Sequence, residues 1–206
     1  MKVILCDTDP AVLDAWRAEF TEHPGVEIRA SSLLEIESGA VVNPGNAFGF
    51  MDGGLSLSWS ERFGFGFEDL VKKTIREKYG GEMLVGQAEV FRTGREPPFL
   101  VYAPIVRTPQ RLKASLNPYL AARAALRAVR AFQAAGGGEE IGAIAFPGLG
   151  TGPEEMPPRI SARQLRYAYE EASGMRLPVD QNLSRLSRRE KKLKSMPLSA
   201  EEDSEG

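Results

Sequence analysis

Val41-Val42-Asn43-Pro44-Gly45-Asn46-Ala47-Phe48-Gly49-Phe50-Met51-Asp52-Gly53-Gly54 begins as an apolar strand and ends at the start of a helix. Ala40 to Val42 have the pattern of a strand buried on both faces. Asn, Pro and Gly then break the chain. Leu55, Trp59 and Phe63 recur at helical spacing, so a helix is expected from about Leu55 to Phe63. A strand, a glycine turn and a helix start together make an anion site. Glycine lets the backbone approach a ligand, and free N–H groups at the helix start point at it. Asn43 and Asn46 add short side chains that both donate and accept. Glycine turns between strand and helix are common, so the stretch alone reads equally well as a tight turn.

Ile144-Ala145-Phe146-Pro147-Gly148-Leu149-Gly150-Thr151-Gly152 changes that balance, because it is a second buried strand ending in a second glycine loop. Together the two stretches resemble the macro domain family, which binds ADP-ribose. There a strand ending in Asn-Ala-Ala-Asn runs into a glycine-rich loop, and a later Ile-Ala-Phe-Pro strand ends in a Ser-Thr-Gly loop. Asn43-Pro44-Gly45-Asn46 and Gly150-Thr151-Gly152 occupy those places in the same order, and the likeness runs from about Val26 to Ala172. In detail the chain looks like a divergent macro-domain-like branch found in bacteria and phages. The fold expected is a three-layer α/β/α sandwich with about six mostly parallel strands.

Lys2 to Cys6 reads as a buried strand, and Asp9 as the cap of a helix opening at Pro10 and carrying Val12, Leu13, Trp16 and Phe20 on one face. Val26 to Arg29 reads as a second strand. This βαβ opening also suits a phosphorylated receiver domain with Asp7 and Asp9 as the acid pair. Asn43, however, stands where such a domain needs its acceptor aspartate. The family closes with a strand, a loop and a helix that look much like Val3 to Phe20. One reading is therefore a circular permutation, which nearby termini make physically easy. The other is an added N-terminal unit with the last strand lost. Further on, Phe67 to Tyr79 is expected as a helix, and Gln87 to Arg92 and Phe99 to Val106 as strands. A long helix opens at Ser115 or Asn117, runs through Phe132 and is closed by Gly136-Gly137-Gly138. The last strand is Ile141 to Phe146 and the last helix Arg159 to Ala172. Arg123, Arg127 and Arg130 read as a solvated face. Residues 1–175 are taken as the domain and 176–206 as a charged tail, a dangling helix or unfolded, which lacks the apolar surface to fold alone.

The chain has 206 residues and a formal net charge of -2, which gives no case for general nucleic-acid binding. Cys6 is the single cysteine, so no internal disulfide or multi-cysteine metal site exists, and its apolar run reads as core. His23 is the single histidine, placed by its polar turn at the surface. Zinc chemistry and a Ser-His-Asp triad therefore have no support. No bound cofactor or metal is expected. No apolar run is long enough for a membrane span and no secretory pattern opens the chain, so a cytoplasmic location is the default.

The resemblance implies a cleft between the loops that holds a diphosphate. Asn43, Asn46, Phe48, Gly53, Gly54, Leu55 and Ser56 would line one side, and Gly148, Leu149, Gly150, Thr151 and Gly152 the other. Asn46 would bond a ribose hydroxyl. Phe48 and Phe50 would wall the cleft or anchor into the core. The family reads adenine with an aspartate in the link before the central strand. Ser32 falls there and lacks the charge, so Asp7 or Asp9 is the substitute if the first strand ends beside the same cleft. One hydrolase branch places a catalytic aspartate where Ser56 stands here. Asp52 is then the candidate general base, acting with Asn46, unless it only satisfies loop N–H groups. Glu154 is either a second acid or a surface residue. Three functions stay open at this point: a hydrolase of an ADP-ribosyl linkage or of ADP-ribose 1''-phosphate, a non-catalytic module that binds ADP-ribose or a related nucleotide, and an accessory protein with a vestigial pocket. The partner expected is ADP-ribose or an ADP-ribosylated macromolecule.

Overall fold

The computed structural model describes residues 1–64, 66–136, 140–176 and 182–196. Gly137, Gly138 and the acidic stretch Glu201 to Gly206 lie outside the described residues.

Six strands form one sheet: β1 (Lys2–Asp7), β2 (Val26–Ala30), β3 (Ala40–Asn43), β4 (Glu89–Arg92), β5 (Phe99–Tyr102) and β6 (Ala143–Phe146). Their spatial order is β2-β1-β6-β3-β5-β4, and all pairings are parallel except β4 with β5. The helices are α1 (Pro10–Glu19), α2 (Gly54–Phe63), α3 (Gly66–Tyr79), α4 (Asn117–Ala134), α5 (Pro158–Ser173) and α6 (Leu183–Lys194). Side chains alternate across the strands and both faces are covered. Val3, Leu5, Val42 and Phe146 pack with α1, α4 and α5. Ile4, Cys6, Val41 and Leu100 pack with α2 and α3 around Trp59. The result is the expected three-layer α/β/α sandwich. No helix among the described residues is long and apolar enough to cross a membrane.

The first strand lies inside the sheet. Val3 stands opposite Val26 on one side and Ile144 on the other, the position that the permutation reading requires. The Asp9 side chain accepts from the Ala11 N–H at 2.8 Å and caps α1, with Pro10 at its first position. The strand therefore hands directly to a helix, and its carboxyl end delivers Asp7 beside the turn that follows β6.

Three local expectations change. The stretch expected as a strand from Phe99 to Val106 leaves the regular ladder after Tyr102. Beyond Tyr102 its backbone serves the end of β3 and the loop that follows: the Ala103 N–H donates to Asn43 C=O at 3.1 Å, and the Ile105 N–H to Gly45 C=O at 3.0 Å. His23 is buried. It packs edge-on to Phe20 and Tyr169, and its Nε2 lies 3.1 Å from Glu170 Oε1. The polar turn around it hides that partner, which lies 147 residues away. Within the tail, residues 183–194 form α6 docked on α5 rather than a dangling helix. Leu193 is fully buried, Gln164 Nε2 donates to Leu193 C=O at 2.9 Å, and Arg189 pairs with Glu171. The burying surface comes from α5, so the composition of the tail could not reveal it.

Candidate functional site

A cleft of about 540 Å³ opens over the carboxyl ends of β1, β6 and β3, where a parallel sheet covered by helices takes its ligands. The loop after β3 forms one wall and the turn after β6 the other.

The wall after β3 is held from within. The Asn46 carboxamide accepts from the Phe48 N–H at 3.0 Å and the Phe50 N–H at 3.2 Å, and donates to Phe50 C=O at 2.8 Å. This side chain therefore folds its own loop. Below it, the buried Tyr102 hydroxyl accepts from the Asn46 N–H at 3.2 Å and donates to Asn46 C=O at 2.8 Å. A Cβ at Gly45 would stand 2.3 Å from that hydroxyl, so only glycine lets the loop settle onto it. The loop ends at the start of α2, which has no side-chain cap. Its first intrahelical bond is Leu57 N–H to Gly53 C=O, which leaves the N–H groups of Gly54, Leu55 and Ser56, at the cleft, without a protein acceptor among the described residues.

The opposite wall carries matching donors. The Gly148 N–H is taken by Asp7 Oδ2 at 3.1 Å, which fastens the turn to the end of β1. A Cβ at Gly148 would meet Thr151 Oγ1 at 2.3 Å and Asp7 Oδ2 at 2.8 Å. Gly150 adopts a left-handed φ of 72° and packs on Ile105 and Leu112. The N–H groups of Gly150, Thr151 and Gly152 have no protein acceptor among the described residues. Leu149 is fully buried and points into the core, while its carbonyl accepts from the Ser161 hydroxyl at 2.8 Å. It anchors the turn and does not face the cleft.

Four carboxylates line the cleft: Asp7, Asp9, Asp52 and Glu154. The first two are engaged. Asp7 accepts from the N–H groups of Gly148 and Asp9, and Asp9 caps α1. Asp52 is exposed on the wall after β3, and Glu154 is half-buried on the other. Neither has a hydrogen bond or ion pair to its carboxylate among the described residues. Asp52 therefore does not brace its loop.

Several expected site residues stand elsewhere. Ser32 caps the short 3-10 turn Leu33–Glu35, accepting from the Leu34 N–H at 3.3 Å, and does not reach the cleft. Phe48 turns away beneath Arg107, whose guanidinium lies 5.0 Å from the ring centre. Phe50 lines the cleft instead, 49% exposed, with Lys72 Nζ 4.1 Å from its ring centre. Asn43 is fully buried under the floor. Its Oδ1 accepts from the Ser56 hydroxyl at 3.1 Å, and its Nδ2 has no partner among the described residues. Ser56 thus supports Asn43 while its backbone faces the cleft. Tyr102 escaped sequence reasoning, although a hydroxyl closing the apolar run Phe99-Leu100-Val101 was the signal: a buried tyrosine needs a partner.

The family model of the Macro domain matches residues 42–165. The chain belongs to the macro domain family. Among solved structures, the macrodomain of Mycobacterium tuberculosis DarG is 22% identical over 69% of this chain and 88% of its own, with a TM-score of 0.56. The Oceanobacillus iheyensis macrodomain with ADP is 14% identical over 65% of this chain and 70% of its own, with a TM-score of 0.52. A glycine-to-valine mutant of that macrodomain with ADPR gives 14% identity over 65% and 71%, with a TM-score of 0.52. No curated protein matches the chain.

Proposed function

We propose that the cleft binds the ADP-ribose group, with its diphosphate held between the two glycine loops. The observation that carries this reading is the pair of unpaired donor sets facing one cleft: Gly54, Leu55 and Ser56 at the start of α2, and Gly150, Thr151 and Gly152 after β6. Backbone donors and a helix N-terminus suit a diphosphate without any lysine or arginine. Asp7 and Asp9 sit at the β1 end, where a carboxylate accepts from the adenine amino group. Phe50 and Asp52 line the cleft on the wall after β3, the side that takes the distal ribose in this reading. The family match and the ADP and ADPR structures of the Oceanobacillus iheyensis macrodomain support the same ligand.

A second reading, hydrolysis of a bond at the distal ribose, is favoured by Asp52. Its carboxylate is exposed, lines the cleft and is free of structural duty, which is what a water-activating base requires. Asn46 supports it by fixing the loop, not by touching substrate with a free amide. Titration calorimetry with ADP-ribose tests the binding reading, and absence of binding refutes it. Turnover of ADP-ribosylated protein, ADP-ribosylated DNA and ADP-ribose 1''-phosphate tests the other. Asp52→Ala should retain binding and lower turnover by roughly a hundredfold or more. Equal loss of both would remove Asp52 from the chemistry.

A further inference from the structure

The helix α6 is the most basic element of the chain. Six of its twelve residues are arginine or lysine, against the single acid Glu190. The formal charge of the whole chain, -2, conceals this concentration. The helix is also fixed in place. Leu193 is buried, Arg189 reaches Glu171 and the Tyr119 hydroxyl, and Arg163 donates to Lys192 C=O at 3.4 Å. At 3.6 residues per turn, the stripe opposite Leu186 and Leu193 is Ser184, Ser187, Arg188, Lys191 and Ser195, all exposed. Arg188 and Lys191 have no ion-pair partner among the described residues.

We propose that this stripe is a contact surface for the phosphate backbone of a nucleic-acid strand lying beside the cleft. Cations alternating with serine hydroxyls supply the donors that phosphate oxygens accept. An anionic membrane would need a continuous row of apolar side chains on the same face, whereas Leu186 and Leu193 turn inward and the exposed Leu183 and Met196 stand singly at the two ends of α6. A protein interface would need an apolar or aromatic anchor, and the stripe has none. The position is also suited to the task. Gln164 Nε2 donates both to Leu193 C=O and to Ser115 C=O at 2.8 Å, so the last turn of α6 lies against the segment Leu112–Ser115. Arg111 just before that segment and Lys113 within it are exposed, both paired with the exposed Glu155, and the segment is tied to the cleft wall by the Leu112 N–H donating to Glu154 C=O at 2.7 Å. The last turn of α6 is thus two contacts from the cleft wall at Glu154, and in this proposal a strand held on α6 continues toward the cleft. The surface does not depend on the ADP-ribose reading.

The test is fluorescence anisotropy with labelled, unmodified single-stranded DNA and RNA of about 20 nucleotides. Salt is varied from about 50 to about 200 mM, the range over which backbone binding weakens steeply. The intact chain should bind both strands at the lower salt. Arg188→Glu with Lys191→Glu should weaken binding at least tenfold and reduce the slope of log affinity against log salt by about 1.4, the value for two lost phosphate contacts on a single strand. Lys73→Glu with Arg76→Glu makes the same charge change on α3, across the sheet, and should leave binding within about twofold. Gly53→Val in the cleft should leave strand binding unchanged while ADP-ribose binding is lost, so the two readings fail separately. No binding at the lower salt overturns the proposal. So does equal weakening by both charge reversals, or binding to anionic vesicles or polyglutamate with none to nucleic acid.

Discussion

Replacing Tyr102 by phenylalanine removes one oxygen from a fully buried ring and leaves the volume of the core unchanged, so no cavity forms. That oxygen accepts from the Asn46 N–H at 3.2 Å and donates to Asn46 C=O at 2.8 Å. Burial pushes the phenol well above its usual 10, so it remains a donor at neutral pH. Two neutral hydrogen bonds contribute roughly 1 to 3 kcal/mol together, and leaving partly buried backbone groups unpaired moves the cost toward the upper end, about 2 to 3 kcal/mol. For a chain of this size each kcal/mol lowers the melting temperature by about 2–4 °C, so a fall of about 4–12 °C is expected. The loss falls at the root of the loop that leads to the N–H groups of α2. The fraction of molecules with that loop ready for ligand drops, and ADP-ribose affinity should weaken about tenfold, equivalent to about 1.4 kcal/mol. Melting curves and calorimetry measure both effects. Tyr79→Phe is the control: its hydroxyl donates to Glu89 at 2.7 Å, remote from the cleft, and its loss should lower stability without touching affinity. The reasoning is refuted if Tyr102→Phe melts and binds like the unmodified chain, or if the control loses affinity equally.

Gly53→Val should abolish ADP-ribose binding and leave the melting temperature nearly unchanged, because a Cβ at Gly53 meets nothing within 4 Å while the residue lines the cleft. Gly150→Glu should unsettle the fold as well, since its φ is 72° and its neighbours Leu112 and Ile105 already stand 3.2 and 3.3 Å from the added carbon. Glu170 titrates below its usual 4.5: burial opposes this, but the hydrogen bond from Arg176 and the charge of Arg166 outweigh it. A carboxyl depressed on folding stabilises fully above its unfolded value and loses that contribution as pH falls through the folded one. Glu170→Gln should therefore be less stable near pH 7, and the difference should shrink in thermal melts as pH falls below the usual carboxylate range. Leu193→Ala should release α6, costing about 2 to 3 kcal/mol of docking. Limited proteolysis should then cut within residues 183–194 while the melting of the sheet domain changes little.

The layers of the fold were legible because strands buried on both faces leave unbroken apolar runs. Val3 to Cys6, Ala40 to Val42 and Ile144 to Phe146 needed no partner to be recognised. The two glycine loops were legible for the same local reason. What was not legible depends on contacts between distant residues. Asn46 read as a ligand-binding side chain, yet its amide is occupied by Phe48 and Phe50 within its own loop. Phe48 and Phe50 are two residues apart and chemically identical, and only the loop's turn decides that the second one faces the cleft. His23 looked solvated because Glu170 and Tyr169, which bury it, lie on the last helix of the domain. Ser32 was placed by counting back along a link whose local geometry makes it a cap.

The position of β1 has a consequence for synthesis. Lys2–Asp7 and Val26–Ala30 leave the ribosome before the other four strands, and each can pair at once with the other. The other edge of β1 needs Ala143–Phe146, and the bond that fastens the cleft joins Asp7 to Gly148 across 141 residues. Until that segment emerges, β1 presents an open hydrogen-bonding edge and an apolar face on either side, the condition under which nascent chains associate wrongly. At about 5–20 residues per second the wait lasts roughly 7 to 30 seconds. The cleft, built from the turn after β1 and a turn near residue 148, closes as a late event of that vectorial assembly.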